Sequence, residues 1–379
     1  MPSPLRLLFV CGSLEPGRDG VGDYSRRLAE ALLARDYAVR LVATHDKQAA
    51  TVTTELQPAG DYSVATLRIP YATPTSERQR LLQGAVDAFA PDWLSLQYVP
   101  HGFNKYGLPF DLLLILGRLR STARRHVMFH ELWITPGSRF SLKERLIHWA
   151  EQGAVYWLVG KGFGPRIVHT HLPTYRDWLV QKGANVHPLP LFANIAPAGT
   201  GDATAAHRQF RVAFFSQLAT PPAVRTFLKQ LADHLRDTDR RLIIELLGGN
   251  KERGAATVAT LQTALPTAEI HARGFLDAPE VSAYLDRADL GITPVARHEI
   301  GKSGTVAAFL SHRLPVAAPV VTLTNESFFV PALNRAVLSH FTPEALQTAT
   351  AAATTLDVDL ISTSHIARTL IADLTSAAS

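Results

Sequence analysis

The stretch from Leu5 to Thr44 reads LRLLFVCGSLEPGRDGVGDYSRRLAEALLARDYAVRLVAT and contains one complete structural unit. The apolar run LRLLFV predicts a strand, CGSLEPGRDGVG a glycine-rich loop, YSRRLAEALLARD a helix, and AVRLVAT a second strand. A strand, helix and strand in this order form a crossover connection between parallel strands. The stretch therefore predicts an α/β fold with a parallel sheet.

The same alternation recurs along the chain and is interrupted once. Further strands are predicted at DWLSLQYV, HVMFHELW and RIVHTH, and again at RVAFFSQ, RLIIELLGG, AEIHARG, DLGITP and LPVAAPV. Between the two groups, PLPLFANIAPAGTGDATAAHRQ is rich in Pro, Gly, Ala and Thr, as linkers are. We therefore predict two tandem doubly wound, Rossmann-like domains over residues 1–195 and 210–355, a linker at 196–209, and a helical segment at 356–379 that packs back on the first domain.

The predicted sheets indicate where ligands bind. Doubly wound sheets bind ligands at the carboxyl ends of their strands, beside helix N-termini. Two such domains in tandem leave a cleft between them, and we expect the active site in that interdomain cleft.

Composition narrows the class of protein. The chain has 379 residues, of which 46% are hydrophobic and 19% charged, as in globular proteins. Its single cysteine, Cys11, excludes an intrachain disulfide framework. No signal-peptide pattern is visible and every apolar run is shorter than the roughly 18 residues of a membrane span. We expect a cytoplasmic protein that needs no cofactor and holds no metal.

Positive charge is concentrated in the first half. Residues 1–199 hold 22 Lys and Arg against 16 Asp and Glu, and part of the excess lies in GRLRSTARRH (117–126) and at Arg139, Lys143 and Arg145. A basic face attracts phosphorylated or membrane-bound partners, so peripheral contact with a membrane is one interpretation. An ordinary solvated helix face is the other. No motif of a nucleic-acid-binding domain accompanies the charge, so nucleic acid is not an expected partner.

The segment ARHEIGKS (296–303) fits the loose phosphate-loop pattern of nucleoside triphosphatases. A triphosphatase also needs a carboxylate after an apolar strand to hold Mg²⁺, and the next strand, LPVAAPVV, ends without one. The physics of the segment still favours an anion site, because Gly301, Ser303, Gly304 and Thr305 open a helix and Lys302 adds a positive charge.

Four stretches together resemble the retaining glycosyltransferases of the GT-B fold, group 1 or family 4. They are the opening unit, HVMFHELW with its strand ending in His-Glu, RGFLDAPEVSAYLDRADLGITPV, and TVAAFLSHRLPVAA, which is similar to the family's E-A-M-A-x-G-x-P-V. The resemblance keeps its order over nearly the whole chain. It implies transfer of a sugar from a nucleotide-diphosphate donor to an acceptor with retention of configuration and without metal.

The resemblance also implies roles for individual residues. It assigns His130 to the transferred sugar or the phosphate oxygen and Glu299 to hydroxyl groups of the donor sugar, although Glu299 could instead interact with the helix N-terminus and pair with Arg297 or His298. Because the family's arginine is missing, the diphosphate contact is expected from Lys302, whose charge lies at the helix start. The remaining donor-binding candidates are Gly20, Gly22, Gly249, Asn250, Arg273, Gly274, Gly301, Ser303, Gly304 and Thr305. The acceptor candidates are Asp23, Tyr98 and His101, and the acceptor itself is an unidentified glycan, lipid-linked or small molecule. A plain turn at the glycines and a structural histidine at position 130 are the simpler alternatives.

Two departures from the family pattern stand out. The family's Glu-x7-Glu pair falls on Ile300 and Ala308, so Glu299 replaces the first glutamate only after a shift of one residue. The usual Gly-Arg-Leu, with a lysine after it, is replaced by FFSQLATPPAVRTFLK, which places Arg225 and Lys229 further along. These departures keep two alternatives open: an inert sugar-nucleotide or glycan-binding pseudo-transferase, and the less favoured phosphate-loop hydrolase.

Overall fold

The computed structural model describes residues 4–133, 141–197, 199, 208–324 and 326–377. Its chain divides into two compact units. Unit 1 contains Met1–His171, Tyr175–Leu189 and Ile366–Ser379, and unit 2 contains Leu172–Thr174 and Pro190–His365. The sequence-based boundaries at residues 195 and 355 differ from these by several residues.

Unit 1 is built on an eight-stranded sheet with the order β3-β4-β2-β1-β5-β6-β7-β8. Its strands are β1 (Arg6–Cys11), β2 (Ala38–Asp46), β3 (Thr53–Ala59), β4 (Tyr62–Pro70), β5 (Trp93–Tyr98), β6 (Arg124–Phe129), β7 (Ile167–Thr170) and β8 (Val186–Pro188). The strands pair in parallel except β3, which pairs with β4 antiparallel. The parallel sheet expected from the sequence therefore has an antiparallel edge in the described part of the chain.

Helices connect these strands. They are α1 (Gly20–Leu33), α2 (Thr75–Phe89), α3 (Pro100–Phe103), α4 (Phe110–Arg118), α5 (Leu142–Val159) and α6 (Pro173–Val180). α1 begins earlier than predicted, because the Asp19 side chain accepts a hydrogen bond from the Gly22 N–H and so caps the helix. Gly20 and Gly22 thus belong to the first turn of α1, and the expectation that they precede the helix is wrong.

Unit 2 has a six-stranded parallel sheet with the order β11-β10-β9-β12-β13-β14. Its strands are β9 (Gln209–Phe215), β10 (Arg241–Leu247), β11 (Glu269–Gly274), β12 (Leu290–Ile292), β13 (Val316–Ala317) and β14 (Val337–Leu338). Its helices are α7 (Pro222–Asp237), α8 (Lys251–Ala264), α9 (Ala278–Leu285), α10 (Gly304–Ser311), α11 (Pro331–Arg335) and α12 (Pro343–Thr354). Two 3₁₀ helices, Arg297–Lys302 and Val358–Ile361, complete it.

Hydrophobic packing covers both faces of the second sheet. Along β9, Val212 and Phe214 belong to one buried cluster, which also contains the apolar face of α7. Ala213, between them, belongs to the other cluster, which contains most of α10. Because successive strand residues point to opposite faces, a run of apolar residues fits a strand covered on both sides.

The last helix, α13 (Thr363–Ser376), returns to the first sheet. The Arg166 guanidinium donates to the Ala377 carbonyl at 2.9 Å, and Asp373 pairs with His169 at 3.0 Å. These contacts attach α13 to unit 1. Among the described residues, no helix combines the length and the apolar character needed to cross a membrane.

Candidate functional site

The strand order of unit 2 reverses between β9 and β12, and this switch point is where doubly wound sheets bind ligands. β9 ends at Phe215, whose carbonyl accepts a hydrogen bond from the Thr305 hydroxyl at 3.2 Å. The next residue, Ser216, has φ of 65° and donates its N–H to the Leu247 carbonyl at 2.8 Å. The carboxyl ends of β9 and β10 therefore lie beside the start of α10.

The segment with the phosphate-loop pattern has a different backbone from a phosphate loop. Arg297–Lys302 forms a 3₁₀ helix, in which the Glu299 N–H donates to the Ala296 carbonyl, and Gly301 is buried inside it. The expectation that Gly301 opens the following helix is wrong. Ser303 is the N-cap of α10 and its hydroxyl accepts from the Val306 N–H at 3.4 Å.

The first turn of α10 keeps the features expected of an anion-binding element. Gly304 and Thr305 begin this helix, and the first N–H groups of an α-helix have no partner within the helix. Lys302, just before it, is half-buried, with Nζ at 3.4 Å from Glu299 Oε1. Lys302 and Glu299 thus form a salt bridge next to free helix N–H groups, at the switch point.

Asn194 lies beside the same helix start and was not a candidate from sequence. A Cβ on Gly304 would lie 3.6 Å from Asn194 Nδ2. The buried Asn194 Oδ1 has no hydrogen-bond partner among the described residues. The surrounding sequence, LFANIAP, carries no motif that singles this residue out.

The family's two glutamate positions are filled by core residues. Ile300 and Ala308 are completely buried in one hydrophobic cluster with Phe309. Neither position can present a polar group to a ligand. Of the alternative cations, the Arg225 guanidinium donates to the Thr220 carbonyl, and Lys229 is exposed on α7.

The candidates for binding the base follow β10 and β11. The Gly248 N–H donates to the Gly274 carbonyl at 2.7 Å, and Gly248, Gly249 and Gly274 all have positive φ, which favours glycine. Asn250 caps α8 by accepting from the Arg253 N–H at 2.9 Å. The loops after β10 and β11 are therefore joined at their ends.

A large apolar side chain projects from this pair of loops. The Phe275 side chain is 91% exposed. Beside it, the Arg273 guanidinium pairs with the buried Glu245 at 2.8 Å and lies over the Tyr284 ring. An exposed aromatic ring next to a fixed cation provides a flat apolar surface on which a base can stack.

Unit 1 has its own switch point, between β1 and β5. The loops after these strands approach closely, since a Cβ on Gly12 would lie 2.5 Å from the Gly102 carbonyl oxygen. Gly22 is equally constrained, with Ser13 O at 2.6 Å from the position of its Cβ, whereas a Cβ on Gly20 would meet nothing within 4 Å. Asp23 accepts from the Gly17 N–H at 3.0 Å and pairs with Arg26.

His130 follows β6 and is 8% exposed. Its Nε2 lies 3.1 Å from Gln97 Oε1 and its Nδ1 lies 3.0 Å from His171 Nε2, while the Tyr24 ring packs edge-on against it. Burial, and then the neighbouring His171, lower the pKa of His130. Both ring nitrogens therefore contact other side chains of unit 1. Gln97 and His171 were not among the predicted site residues.

The acceptor candidates differ in exposure. Tyr98 is completely buried against Phe103 and Phe129, and its burial raises the pKa of its phenol. His101 is half-buried in α3, with its carbonyl accepting from Lys47 Nζ at 2.7 Å. Tyr98 is thus a packing residue in this structure, whereas the His101 side chain is partly accessible.

Arg139, one of the basic residues noted above, lies outside the described residues.

An apolar stripe is exposed on α5. Leu142, Leu146 and Trp149 lie on one face of this helix and are 74%, 61% and 75% exposed. Lys143 and Arg145 are exposed beside them.

Within the described part of the chain, no group of three or more His, Cys, Asp or Glu side chains is arranged to hold a metal ion.

Comparison with known proteins gives matches in structure. No family model and no curated protein matches the chain by sequence. A glycosyltransferase from Rickettsia africae aligns over 99% of this chain and 98% of its own, with a TM-score of 0.62 and 10% identity. Anabaena HepE, solved with UDP and glucose, aligns over 98% and 100%, with a TM-score of 0.57 and 13% identity. A putative UDP-N-acetylglucosamine 2-epimerase from Listeria monocytogenes aligns over 98% and 96%, with a TM-score of 0.54 and 11% identity.

These likenesses extend over nearly the full length of each chain and agree with the two doubly wound sheets. The expected fold is confirmed: the chain has the GT-B fold, with two Rossmann-like units.

Proposed function

We propose that this protein is a glycosyltransferase that moves a sugar from a nucleotide-diphosphate donor to an acceptor, with retention of configuration and without a metal. The observation that carries the proposal is the helix start at the switch point of unit 2. Lys302 and the first turn of α10 lie there beside the ends of β9 and β10. Such a helix start favours a negatively charged group.

The donor contacts follow from this placement. The N–H groups at Gly304 and Thr305 and the charge of Lys302 bind the diphosphate, and Glu299, which pairs with Lys302, orients the lysine or accepts from a sugar hydroxyl. The base lies over the loops that carry Gly249, Gly274 and the exposed Phe275. The neighbour HepE was solved with UDP and glucose, which supports a donor of this class.

Catalysis in this proposal is mainly positioning and charge stabilisation. In retaining transfer of this type the diphosphate leaves on the face that the acceptor approaches, so the protein needs no strong nucleophile. Negative charge grows on the leaving diphosphate, and donors that are already oriented stabilise it in the transition state. Lys302 and the α10 N-terminus supply such donors, and His130 is assigned to the sugar or phosphate oxygen.

Three other functions are weighed against this one. The absence of a glutamate at Ala308 and of an arginine directly after β9 favours an inert binding protein, and the Listeria neighbour carries the name of an epimerase. A phosphate-loop hydrolase is disfavoured by the 3₁₀ helix at Arg297–Lys302, because the Arg297 and Glu299 N–H groups already donate to the Val320 and Ala296 carbonyls. All three are separable by ligand and product.

The test begins with a thermal-shift screen of UDP, GDP, dTDP and ADP in EDTA, with ATP and Mg²⁺ as the comparison. A ligand at a hundredfold excess over its dissociation constant stabilises the folded state by about 2.7 kcal/mol. We expect one nucleoside diphosphate to raise the melting temperature. The matching sugar nucleotide is then followed by NMR with and without acceptors.

Each product identifies one function. Free nucleoside diphosphate together with a new α- or β-glycoside of the donor's configuration supports the proposal. Binding without turnover identifies the pseudo-transferase, an epimerised sugar nucleotide identifies the epimerase, and rapid release of phosphate from ATP identifies the hydrolase. Loss of all activity in EDTA, with recovery in Mn²⁺ or Mg²⁺, would contradict the metal-independent mechanism.

We also propose that unit 1 contacts an anionic lipid surface through α5. Trp149, Leu146 and Leu142 form an exposed apolar stripe, and Lys143 and Arg145 beside them attract anionic headgroups. The test is co-sedimentation with vesicles of phosphatidylcholine alone or with phosphatidylglycerol. Trp149→Ser with Leu146→Ser should abolish binding to the anionic vesicles. Equal sedimentation of parent and variant, or no binding by the parent, would contradict this contact.

A further inference from the structure

A continuous chain of hydrogen-bonding groups crosses β5, β6 and β7 in unit 1. It runs from the Leu189 carbonyl to the Asp373 carboxylate. The seven successive contacts are Leu189 O to His171 Nδ1 (2.8 Å), His171 Nε2 to His130 Nδ1 (3.0 Å), His130 Nε2 to Gln97 Oε1 (3.1 Å), Gln97 Nε2 to Ser95 Oγ (2.8 Å), Ser95 Oγ to His126 Nδ1 (2.7 Å), His126 Nε2 to His169 Nδ1 (2.9 Å), and His169 Nε2 to Asp373 Oδ2 (3.0 Å).

Both ends of this chain are acceptors. The Leu189 carbonyl can only accept, so His171 carries a hydrogen on Nδ1 and, when neutral, accepts at Nε2. His130 Nδ1 must then carry the hydrogen and donate to His171 Nε2. From the other end, the Asp373 carboxylate accepts from His169, and the same logic makes His126 donate to His169, Ser95 to His126 and Gln97 to Ser95.

The two directions meet between Gln97 and His130. Gln97 Oε1 is an acceptor, and the His130 Nε2 that faces it at 3.1 Å carries only a lone pair when the ring is neutral. Each contact needs one hydrogen between its two atoms. The four neutral histidines, the Ser95 hydroxyl and the Gln97 amide place one hydrogen each in the chain, which gives six hydrogens for seven contacts. Reversing the Gln97 amide moves the empty contact towards Ser95 without changing this count.

We propose that the chain binds one proton at this contact, that His130 thereby becomes an imidazolium donating to Gln97 Oε1 and His171 Nε2, and that Gln97 and His171 are its positioning residues. The proton comes from solvent and adds to the Nε2 lone pair, so no other bond breaks. His130 is 8% exposed and His126 1%, which makes His130 the more accessible of the two rings on either side of Gln97 and Ser95.

The groups that face His130 set when the proton binds. Tyr24 from α1 packs its ring against the imidazole, His171 lies on the next strand connection, and His126 is the nearest titratable group on β6. Burial lowers the pKa of both His130 and His126. The free protein therefore keeps the contact empty at neutral pH, and protonation follows acidification or the approach of an anion.

The consequence for catalysis rests on the proposed function. A nucleotide-diphosphate donor that binds at the carboxyl end of β6 would place negative charge beside this imidazolium, and donor binding would then be linked to proton uptake. A neutral imidazole in the same place would only complete the packing of Tyr24 and His171.

The experiment follows the ring nitrogens of ligand-free protein, labelled with ¹⁵N-histidine, by long-range ¹H–¹⁵N NMR from pH 8 to pH 5. We expect His130 to take up a proton before His126, its Nε2 changing from unprotonated to protonated. Gln97→Glu puts a carboxylate against Nε2, and should raise the titration midpoint of His130 by at least about one pH unit. Gln97→Leu removes the acceptor and should lower that midpoint.

Two results would overturn the proposal. One is a His130 that stays neutral down to pH 5 or titrates after His126, and the other is the same His130 midpoint in Gln97→Glu as in the parent. If either variant fails to fold, the parent titration alone decides. Because no donor is present, this measurement is independent of the nucleotide screen, and the proton site stands or falls separately from the transferase.

Discussion

Asp373 Oδ2 lies 3.0 Å from His169 Nε2, although 204 residues separate the two in sequence. The same carboxylate lies 3.6 Å from His187 Nδ1. Burial alone would raise the pKa of Asp373, but the hydrogen bond with His169 and the other contacts with the two histidines lower it overall. Through this residue α13 is joined to β7 and β8. The C-terminal helix is thus held to unit 1 by a polar contact as well as by its apolar face.

Asp373→Ala should destabilise the protein. It removes a charge-assisted hydrogen bond and leaves the buried His169 ring without its acceptor, which costs about 1.5–3 kcal/mol. Urea unfolding at pH 7 measures the loss. The matched control is Asp233→Ala, which removes an exposed partner of Arg236 and should change the free energy of unfolding by less than about 0.5 kcal/mol. Equal effects of the two substitutions would contradict a stabilising role for the His169 contact.

Stability should fall as the pH falls below about 6.5. Burial lowers the pKa values of His126, His130 and His169, so the unfolded chain binds more protons than the folded chain in this range. Above the unfolded pKa these rings are neutral in both states, and their contribution is fully present. Well below it, each ring that stays neutral in the fold contributes a loss of about 1.4 kcal/mol per pH unit.

Urea unfolding at several pH values between 8 and 5 checks this dependence. We expect a flat region at pH 7–8 and a steepening loss below it. Asp373 does not account for such a loss, because its stabilising contribution is lost only as the pH falls from the ordinary pKa of a carboxyl group towards its lowered folded pKa, and both lie below pH 5. An unchanged free energy of unfolding at pH 5 would mean that the buried rings take up protons without penalty.

The sequence predicted the parts of the fold that depend on continuous apolar runs. β1, β5, β9 and β10 are buried on both faces, so their composition identifies them. The β3–β4 hairpin was not predicted, because β3 reads TTELQPA and is exposed along much of an edge. Its turn at Gly60, with φ of 58°, is the local signal that could have indicated it.

The candidate site was less predictable, because its polar contacts join distant segments. Lys302 and Gly304 stand in a recognisable motif, but Asn194 reaches the same helix start from 110 residues earlier in the chain. The spacing of His169 and His171 places both rings on one face of a strand, yet their partners on β6 follow only from the pairing of β6 with β7. These contacts were not predicted, because they depend on which distant segments and strands become neighbours, and no local sequence pattern specifies that.

Gly20 and Gly22 give a matched pair of substitutions in one helical turn. Gly22→Ala places a Cβ 2.6 Å from the Ser13 carbonyl oxygen, and we expect a loss of about 1–3 kcal/mol because backbone must move. Gly20→Ala meets nothing within 4 Å, so stability should change by less than about 0.5 kcal/mol. Thermal and urea unfolding of both variants measures the difference.

The same pair tests whether the first turn of α1 approaches a ligand. If the donor lies close to Gly20, Gly20→Ala should weaken nucleotide-sugar binding in a protein of normal stability. If binding is unchanged, the glycine at position 20 serves the turn alone. A Gly22→Ala variant as stable as the parent would instead contradict the close approach of α1 to the loop after β1.

Lys302→Ala tests the proposed phosphate site. The substitution removes one charge-assisted contact, worth about 1.5–3 kcal/mol, so binding of the nucleoside diphosphate should weaken roughly ten- to a hundredfold. Turnover should fall further, because charge on the leaving diphosphate grows in the transition state. The melting temperature of the free protein should change little, since the salt bridge to Glu299 spans 3.4 Å and joins residues only three apart in one 3₁₀ helix.

Lys229→Ala is the informative comparison, because it removes an exposed lysine from α7, near the position where the family pattern has one. If the diphosphate is bound at the start of α10, Lys229→Ala keeps the parent affinity and Lys302→Ala loses it, with calorimetric titration as the measurement. If instead Lys229→Ala loses affinity and Lys302→Ala keeps it, the phosphate is bound at α7. The 3₁₀ helix at Arg297–Lys302 is then only a structural connection. Unaltered affinity in a folded Lys302→Ala variant would exclude this lysine from the site, because a cation in contact with a diphosphate cannot be removed without loss.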